Sequence, residues 1–356
     1  MIEPSPPPSI EPTSFDALPG WAEDDHAAAF RAFRRGAAVL DTNPPKTRAL
    51  GIDGALLAGA LRRADALPEG LSATDARRFF EAHFVPQRLV PPAGFFTGYY
   101  EPVVEGSRTR SQRFPVPLLK PPPDLVEIEP GSVPGLPPDF RFARRVASGL
   151  VEHPDRGAIM AGALDGQGLE LVWLTDWIEA FFIHVQGAAR IRLAEGGEMR
   201  VTYAAKSGHA YSPVGKTLLQ RGVSPPVTMQ VIRAWLAAHP DELPAVLATN
   251  RSYIFFREAS VADPSLGPIA AAKVPLSEGR SLAVDRLLHT FHTPVFIDTT
   301  TPDGEPWRRL MVAQDTGSAI VGPGRGDIFF GSGDAAGEIA GRMKAGGGFF
   351  VLAPCP

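Results

Sequence analysis

Residues 310–322 read LMVAQDTGSAIVG, an apolar strand that runs directly into an acidic turn of small residues. Asp315 lies at the junction, and Asp327 follows twelve residues later. A carboxylate at the end of an apolar strand is partly desolvated, and desolvation raises its pKa towards the range useful for a general acid. The stretch therefore predicts a β domain that carries an acid/base site.

The composition of the 356-residue chain favours a turn-rich β architecture. It contains 37 Pro and 36 Gly, and only 21% of its residues are charged, which disfavours a helical bundle. The net charge is -4 without a basic stripe or tail, so a nucleic-acid partner is not expected. The single Cys355 excludes an intramolecular disulfide and a cysteine metal cluster, and the His residues show no metal-ligand spacing. No metal or other cofactor is expected.

The N-terminus reads MIEPSPPP and predicts a flexible, Pro-rich tail over residues 1–18. It lacks the basic and apolar regions of a signal peptide, and no run approaches 18 apolar residues. This start is compatible with a cytoplasmic protein, or with an exported protein whose signal is not part of the chain.

Helical periodicity is confined mainly to the first quarter of the chain. Apolar spacing predicts amphipathic helices over 24–40 and 56–66. A third helix is predicted to start at Thr74 as its N-cap and to end at Pro86. Ser224, followed by Pro225, predicts the start of a later helix that runs to about residue 239.

Strand patterns dominate elsewhere. Residues 95–102 form an aromatic strand, and residues 168–203 alternate as strands with a hairpin at Gly196-Gly197. Short strands punctuated by Gly and Pro between 252 and 352 are typical of a small barrel.

One alternative comes from residues 315–319, whose letters DTGSA match the aspartic-protease motif. That chemistry needs two carboxylates that share a proton, and hence two such loops or a symmetric dimer. The second candidate is Asp298 within FIDTT, where Thr replaces the required Gly. It lies only seventeen residues before Asp315, too close for a second lobe.

Several further motifs occur in a fixed order along the chain. They are FTGYYEP at 96–102, VQG at 185–187, KSGHAY at 206–211, NRSYIFF at 250–256, SLAVD at 281–285, and the segment with Asp315 and Asp327. Over residues 67–352 the chain resembles the membrane-bound lytic murein transglycosylase A family, and its last part resembles the three-aspartate domain of that family.

The resemblance implies a mainly β fold with N-terminal helices, in which a double-psi β-barrel and an inserted β domain border a groove. The expected domains are the tail at 1–18, the helices and first part of the barrel at 19–102, the inserted β domain at 103–247, and the rest of the barrel with the three-aspartate motif at 248–356.

The same resemblance implies a lytic transglycosylase that cleaves the MurNAc-GlcNAc β-1,4 bond of peptidoglycan and leaves 1,6-anhydromuramic ends. Asp315 would be the single catalytic acid/base. Asp285 and Asp327 map onto the other two aspartates, and their charges would raise the pKa of Asp315. Structural roles compete with these: Asp315 as a turn cap, Asp327 as the start of a strand, and Asp285 in a salt bridge with Arg286.

Polar side chains near the motifs are candidates for binding the glycan strand. An amide beside a glycine suits N-acetyl and hydroxyl groups, and a lysine in the KSGHAY motif could meet a lactyl or peptide carboxylate. Strand alternation places the first tyrosine and the threonine of FTGYYEP on one face. The expected substrate-binding residues are Thr97, Tyr99, Gln186, Gly187, Lys206 and His209.

The expected partners are peptidoglycan glycan strands, with other cell-wall enzymes as further candidates. The resemblance implies a periplasmic protein, with an outer-membrane anchor in the full precursor that is absent from this chain. A peptidoglycan-binding barrel without catalysis is the second alternative.

Overall fold

The computed structural model describes residues 9–90 and 94–356. Short 3₁₀ turns occupy Phe15–Ala17, Trp21–Glu23 and Arg35–Val39. The helices are α1 (His26–Arg34), α2 (Gly54–Asp65), α3 (Ala73–His83), α4 (Arg156–Met160), α5 (Trp177–Gln186), α6 (Val214–Gln220), α7 (Met229–Ala238), α8 (Leu243–Ala248) and α9 (Asp334–Arg342).

The strands are β1 (Ser9–Pro12), β2 (Phe84–Val90), β3 (Gly94–Glu101), β4 (Val103–Ser107), β5 (Val116–Leu119), β6 (Leu125–Glu127), β7 (Phe142–Val146), β8 (Gly149–Val151), β9 (Glu170–Leu174), β10 (Ala188–Leu193), β11 (Glu198–Lys206), β12 (Ile254–Ala259), β13 (Ser281–Ala283), β14 (Pro294–Thr300), β15 (Pro306–Asp315), β16 (Arg325–Ser332) and β17 (Lys344–Pro354).

The chain divides into two compact units, one formed by residues 1–100 and 261–356, the other by residues 101–260. The return from the second unit to the first thus lies at 260/261 rather than at the expected 247/248. The reason is that β12 pairs antiparallel with β11 and so belongs to the sheet of the second unit. Within the predicted tail, residues 1–8 lie outside the described part, whereas β1 pairs with β2.

The first unit is built around an eight-stranded sheet with the order β1-β2-β17-β14-β15-β13-β16-β3. An additional pairing of β17 with β3 closes β3, β17, β14, β15, β13 and β16 into a ring. The short strand β13 runs parallel to β15 and antiparallel to β16. The small barrel predicted from the strand spacing therefore agrees with the closed ring.

The register around β13 brings two carboxylates to one place. Ala283 of β13 is the partner of Asp315 on one side and of Asp327 on the other. Directly opposed residues on neighbouring strands point to the same face, and strands lie about 4.8 Å apart. The register therefore places the two aspartates on either side of Ala283, close enough for their charges to interact.

An aromatic cluster packs α1 and α3 against the start of β2, the strand that pairs with β17 of the ring. Its rings lie 5.1–6.4 Å apart, many of them edge to face, which is the favoured geometry of aromatic pairs. The members are buried and comprise Phe30, Phe33, Phe79, Phe80 and Phe84.

The second unit contains a six-stranded sheet with the order β12-β11-β10-β4-β9-β5 and a three-stranded sheet of β6, β7 and β8. The predicted hairpin at Gly196-Gly197 joins β10 to β11. Val172, Ile183, Ile191 and Val201 are fully buried in its core.

The predicted strand over 181–187 is wrong, because these residues form the end of α5. An apolar run such as Phe181-Phe182-Ile183 fits a buried helix as well as a strand, so periodicity alone does not separate them. Asp176 caps the helix by accepting from two backbone N–H groups, and Gly187 ends it in the left-handed conformation with φ 78°.

The predicted starts of two helices are displaced. The N-cap of α3 is Ser72 rather than Thr74, and β2 already begins at Phe84, before Pro86. Helix α7 begins after Thr228, whose hydroxyl accepts from the backbone N–H of residue 231, and not at Ser224. Successive prolines disfavour helical backbone at residue 225, because each restricts the residue before it.

Among the described residues, no helix combines the length and the apolar character that a bilayer crossing would need.

A buried ion pair fastens the segment before α1 to the ring. Asp24 Oδ2 accepts from Arg280 Nη1 at 2.8 Å and from the backbone N–H of Leu310 at 2.7 Å. The side chains of Asp24 and Arg280 are only 3% and 8% exposed, respectively. Arg280 Nη1 also donates to the Leu310 carbonyl at 2.9 Å. The ion pair therefore binds both the backbone N–H and the backbone carbonyl of Leu310.

We expect Asp24→Asn to destabilise the protein by about 3–5 kcal/mol, because it leaves the Arg280 charge buried without a counter-charge. Urea denaturation measures this loss. Asp25→Asn is the matched control, since Asp25 is an exposed N-cap and asparagine caps equally well. Equal midpoints for the two variants would contradict the role of the ion pair.

Candidate active site

Asp315 ends β15 in a recess, where protein surrounds the carboxyl but leaves it partly accessible. Its Oδ1 accepts from the backbone N–H of Ala271 at 3.2 Å. Burial raises the pKa of Asp315 to about 6, and the nearby charge of Asp327 acts in the same direction. The backbone N–H groups of Thr316 and Ala271 and the Tyr99 hydroxyl oppose the rise in pKa by stabilising the carboxylate.

Asp327, on β16, has a different set of partners. Its Oδ1 accepts from the hydroxyl of Thr97 on β3, and the same Thr97 oxygen accepts from Arg325 Nη2 at 2.6 Å. Burial raises the pKa of Asp327, while the hydrogen bond from Thr97 and the charge of Arg325 lower it. Of the two carboxyls, Asp327 is the one with a cationic partner nearby.

Tyr99 extends from β3 towards both carboxylates. Its ring lies 5.3 Å from that of Phe329, and the side chain is buried. Burial, followed by the charges of Asp315 and Asp327, raises the pKa of the Tyr99 phenol well above its ordinary value. The phenol therefore stays a neutral hydroxyl beside Asp315, although its oxygen makes no hydrogen bond of standard geometry with a described residue.

The carboxylate of Asp285 is held by backbone groups. Its oxygens accept from the backbone N–H of Leu287 and of Gly322, both at 2.9 Å. The expected salt bridge with Arg286 is replaced by these backbone contacts. Because Gly322 lies in the loop between Asp315 and β16, the contact with Asp285 anchors that loop.

The remaining predicted binding residues lie in the second unit. Gln186 ends α5, Gly187 is its left-handed cap with open space where a Cβ would lie, and Lys206 ends β11. His209 is buried, with Nε2 2.7 Å from the carbonyl oxygen of His153 and its ring edge-on to Phe140. This burial favours a packing role for His209 over the expected contact with a substrate carboxylate.

Two further carboxylates have partners of their own. Glu101 is fully buried and lies 3.3 Å from Arg190 and 3.6 Å from Arg200. Asp298, the second carboxylate that an aspartic protease would need, accepts from Arg308 at 2.9 Å. Asp298 is thus directed to a surface arginine and not to Asp315.

The sequence interpretation missed Arg325 and Ala283. Arg325 lies two residues before Asp327 on one strand, so period-2 alternation already places both on one face. Ala283 carries no chemical signal, because its contribution is the small side chain between the two aspartates. The recess can therefore donate and take back a proton at Asp315, next to a second carboxyl that Thr97 and Arg325 stabilise.

Two protein-family models match parts of the chain. Residues 95–257 match the MltA specific insert domain, and residues 280–353 match the 3D domain. Membrane-bound lytic murein transglycosylase A of Escherichia coli is 32% identical over 271 residues, which cover 73% of this chain and 66% of that protein. The match thus spans slightly less than two thirds of this curated relative.

Solved structures are similar over nearly the whole chain. A crystal structure of a membrane-bound lytic murein transglycosylase from Agrobacterium tumefaciens is 48% identical, with a TM-score of 0.90, and the match covers 97% of this chain and 98% of the other. Escherichia coli MltA with bound chitohexaose is 26% identical, with a TM-score of 0.70 and coverage of 99% and 96%.

We expect Asp315→Asn to change how stability depends on pH. The folded-state pKa of Asp315 is raised to about 6, so its contribution is fully present below the unfolded value and is lost as pH rises through 6. Between pH 4 and pH 7 the wild type should lose about 1–2 kcal/mol relative to the variant, after allowance for the partial exposure of the carboxyl. Urea unfolding at several pH values measures this, and parallel stability curves would contradict it.

Proposed function

The chain belongs to the membrane-bound lytic murein transglycosylase A family, and from this we propose that it is a lytic transglycosylase acting on peptidoglycan. In this proposal it cleaves the β-1,4 bond between N-acetylmuramic acid and N-acetylglucosamine. The observation that carries it is the recessed Asp315, which burial keeps protonated at mildly acidic pH. The bound chitohexaose of the Escherichia coli relative supports a glycan substrate.

Asp315 performs two proton transfers in the proposed reaction. Its carboxyl first protonates the glycosidic oxygen, the bond from that oxygen to muramic C1 breaks, and positive charge develops on the sugar ring. The muramic C6 hydroxyl oxygen then forms a bond to C1 and gives its proton to the Asp315 carboxylate. The products are a free 4-hydroxyl and a 1,6-anhydromuramoyl end, and Asp315 is protonated again.

One carboxylate is sufficient because the substrate supplies its own nucleophile. Ordinary glycosidases use a second carboxylate to attack C1 or to activate water. A hydroxyl tethered in the same molecule reaches effective molarities of about 10⁵ M and above, so it needs little activation. Asp327 can therefore support Asp315 without attacking the sugar.

The finer features of fold and binding belong to the same proposal. We infer that the closed ring of strands is the double-psi barrel, since it combines a parallel β13–β15 pair with antiparallel neighbours. Thr97, Tyr99, Gln186, Gly187 and Lys206 remain candidate glycan contacts. The groove expected between the two domains stays a prediction. The proposed partner is the glycan strand, and the proposed location is the periplasm, as the membrane-bound relatives suggest.

We expect Asp315→Asn to lower turnover of purified sacculi by about 10²–10⁴-fold, because the amide keeps the shape but has no transferable proton. Release of soluble muropeptides measures turnover, and pull-down of sacculi measures binding, which should persist. The matched control is Asp298→Asn, which an aspartic-protease dyad would not tolerate and the proposed mechanism does. Loss of activity in the control but not in Asp315→Asn would reverse the assignment.

The product distinguishes the proposed reaction from hydrolysis. Every cleavage should leave a 1,6-anhydromuramoyl end, so products are lighter by one water than hydrolytic fragments and borohydride does not reduce their muramic termini. Mass spectrometry of the released muropeptides tests this. Predominantly reducing muramic ends would show a hydrolase, and binding without release would show a wall-binding barrel.

A further inference from the structure

Arg325, Thr97 and Asp327 form a continuous hydrogen-bonded chain at the edge of the site. Arg325 and Asp327 lie two residues apart on β16 and therefore on one face, and β3 is the neighbouring strand that carries Thr97. Arg325 Nη2 donates to Thr97 Oγ1 at 2.6 Å, and Thr97 Oγ1 donates to Asp327 Oδ1. The arginine thus reaches the carboxylate through a hydroxyl.

The direction of this chain follows from the donors available. A guanidinium only donates, so the Thr97 oxygen must accept from Arg325. A hydroxyl has a single hydrogen, and that hydrogen is then left for Asp327. Thr97 donates this hydrogen to Asp327 Oδ1, and acceptance stabilises the ionised form of the carboxyl.

The position of Arg325 is itself fixed. Its Nη1 donates to the backbone carbonyl of Gly326, and its guanidinium lies 5.2 Å from the centre of the Phe95 ring. These contacts leave Nη2 aimed at Thr97. An arginine held by a carbonyl and a ring thus places its charge at the start of β16.

We propose that Arg325 is a positioning residue, which acts through the Thr97 hydroxyl to keep Asp327 ionised and thereby keeps the proton on Asp315. The inference rests on the proposed function, since Asp315 must carry that proton to act as the acid. It also assigns different protonation states to the two carboxyls that flank Ala283: Asp315 is protonated and Asp327 is ionised.

Other groups that face Asp327 leave this assignment intact. Arg325 on its own strand supplies positive charge, and Asp315 at the end of β15 supplies negative charge only after it ionises. Tyr99 on β3 stays neutral because burial raises the pKa of its phenol. On β13 the partner of Asp327 is the uncharged Ala283, and Asp285 beyond it is occupied with backbone N–H groups.

The test is the alkaline limb of the activity profile, where Asp315 ionises. Thr97→Val removes the hydroxyl without changing charge or size, so Asp327 becomes easier to protonate and repels the Asp315 charge less. The limb should move to lower pH by about 0.5–1 pH unit, the scale of a like-charge effect at close range. Thr97→Ser keeps the hydroxyl and should leave the limb in place, whatever its effect on the absolute rate.

Arg325 is tested in two backgrounds. In the wild type, Arg325→Met should move the limb to lower pH, whereas loss of a positive charge acting through space on Asp315 alone would move it to higher pH. Asp327→Asn should also move the limb to lower pH. In that background neither Thr97→Val nor Arg325→Met should move the limb further, because the effects of substitutions within one hydrogen-bonded network are not additive. An unmoved or raised limb in Thr97→Val, or a further shift in the Asp327→Asn background, would overturn the inference.

A second readout does not need activity. Carboxyl carbon NMR gives the titration of Asp315 directly, with its signal assigned by Asp315→Asn, and should show the same shifts in the same variants. If the wild type releases no 1,6-anhydro products, the proposed function fails while the NMR titrations still decide the role of Arg325. If the products form and the titrations do not shift, only the inference about Arg325 fails.

Discussion

The shared register of β13 with β15 and β16 is the constraint on which the site depends. It brings Asp315 and Asp327, twelve residues apart in sequence, to either side of Ala283. A slip of one residue in either pairing would turn the side chains to the opposite face. The closed ring resists such a slip, because β15 and β16 are also paired on their other sides.

Two half-enclosed carboxyls are unfavourable for folding, and the stability of the ring has to come from elsewhere. Burial raises the pKa of both aspartates, which means that their ionised forms destabilise the folded state. The compensating contacts lie away from the recess. They include the aromatic cluster between α1, α3 and the start of β2, and the ion pair of Asp24 with Arg280. Packing thus supports a local arrangement that is poor for stability and suited to proton transfer.

The local parts of this arrangement could be predicted from the sequence, and the non-local parts could not. An apolar run that ends in Asp315 is a local signal, and β15 and β16 lie where the sequence places them. The strand prediction for residues 181–187 was wrong because a fully apolar run occurs both in buried helices and in buried strands. Helix α9 was missed because its Gly337 weakens the helical signal, although a side chain there would collide with the ring of Tyr100. The partner of Arg325 is Thr97, 228 residues away, and only the pairing of β3 with β16 reveals it.

The charges around Asp315 suit each step of the proposed reaction. In the proposed state before proton transfer, Asp327 is ionised and Asp315 is protonated. Burial raises the pKa of Asp315 and the charge of Asp327 adds to the rise, so the proton is available. Once the proton has moved to the leaving oxygen, two carboxylates face a sugar ring that is becoming positive, and they stabilise it electrostatically. Repulsion between them also favours return of a proton to Asp315, which the C6 hydroxyl supplies as it closes the anhydro bridge. Arg325 offsets part of the cost of the doubly ionised recess through Thr97 and Asp327. A cation in direct contact with Asp315 would lower its pKa and remove the proton that the first step requires.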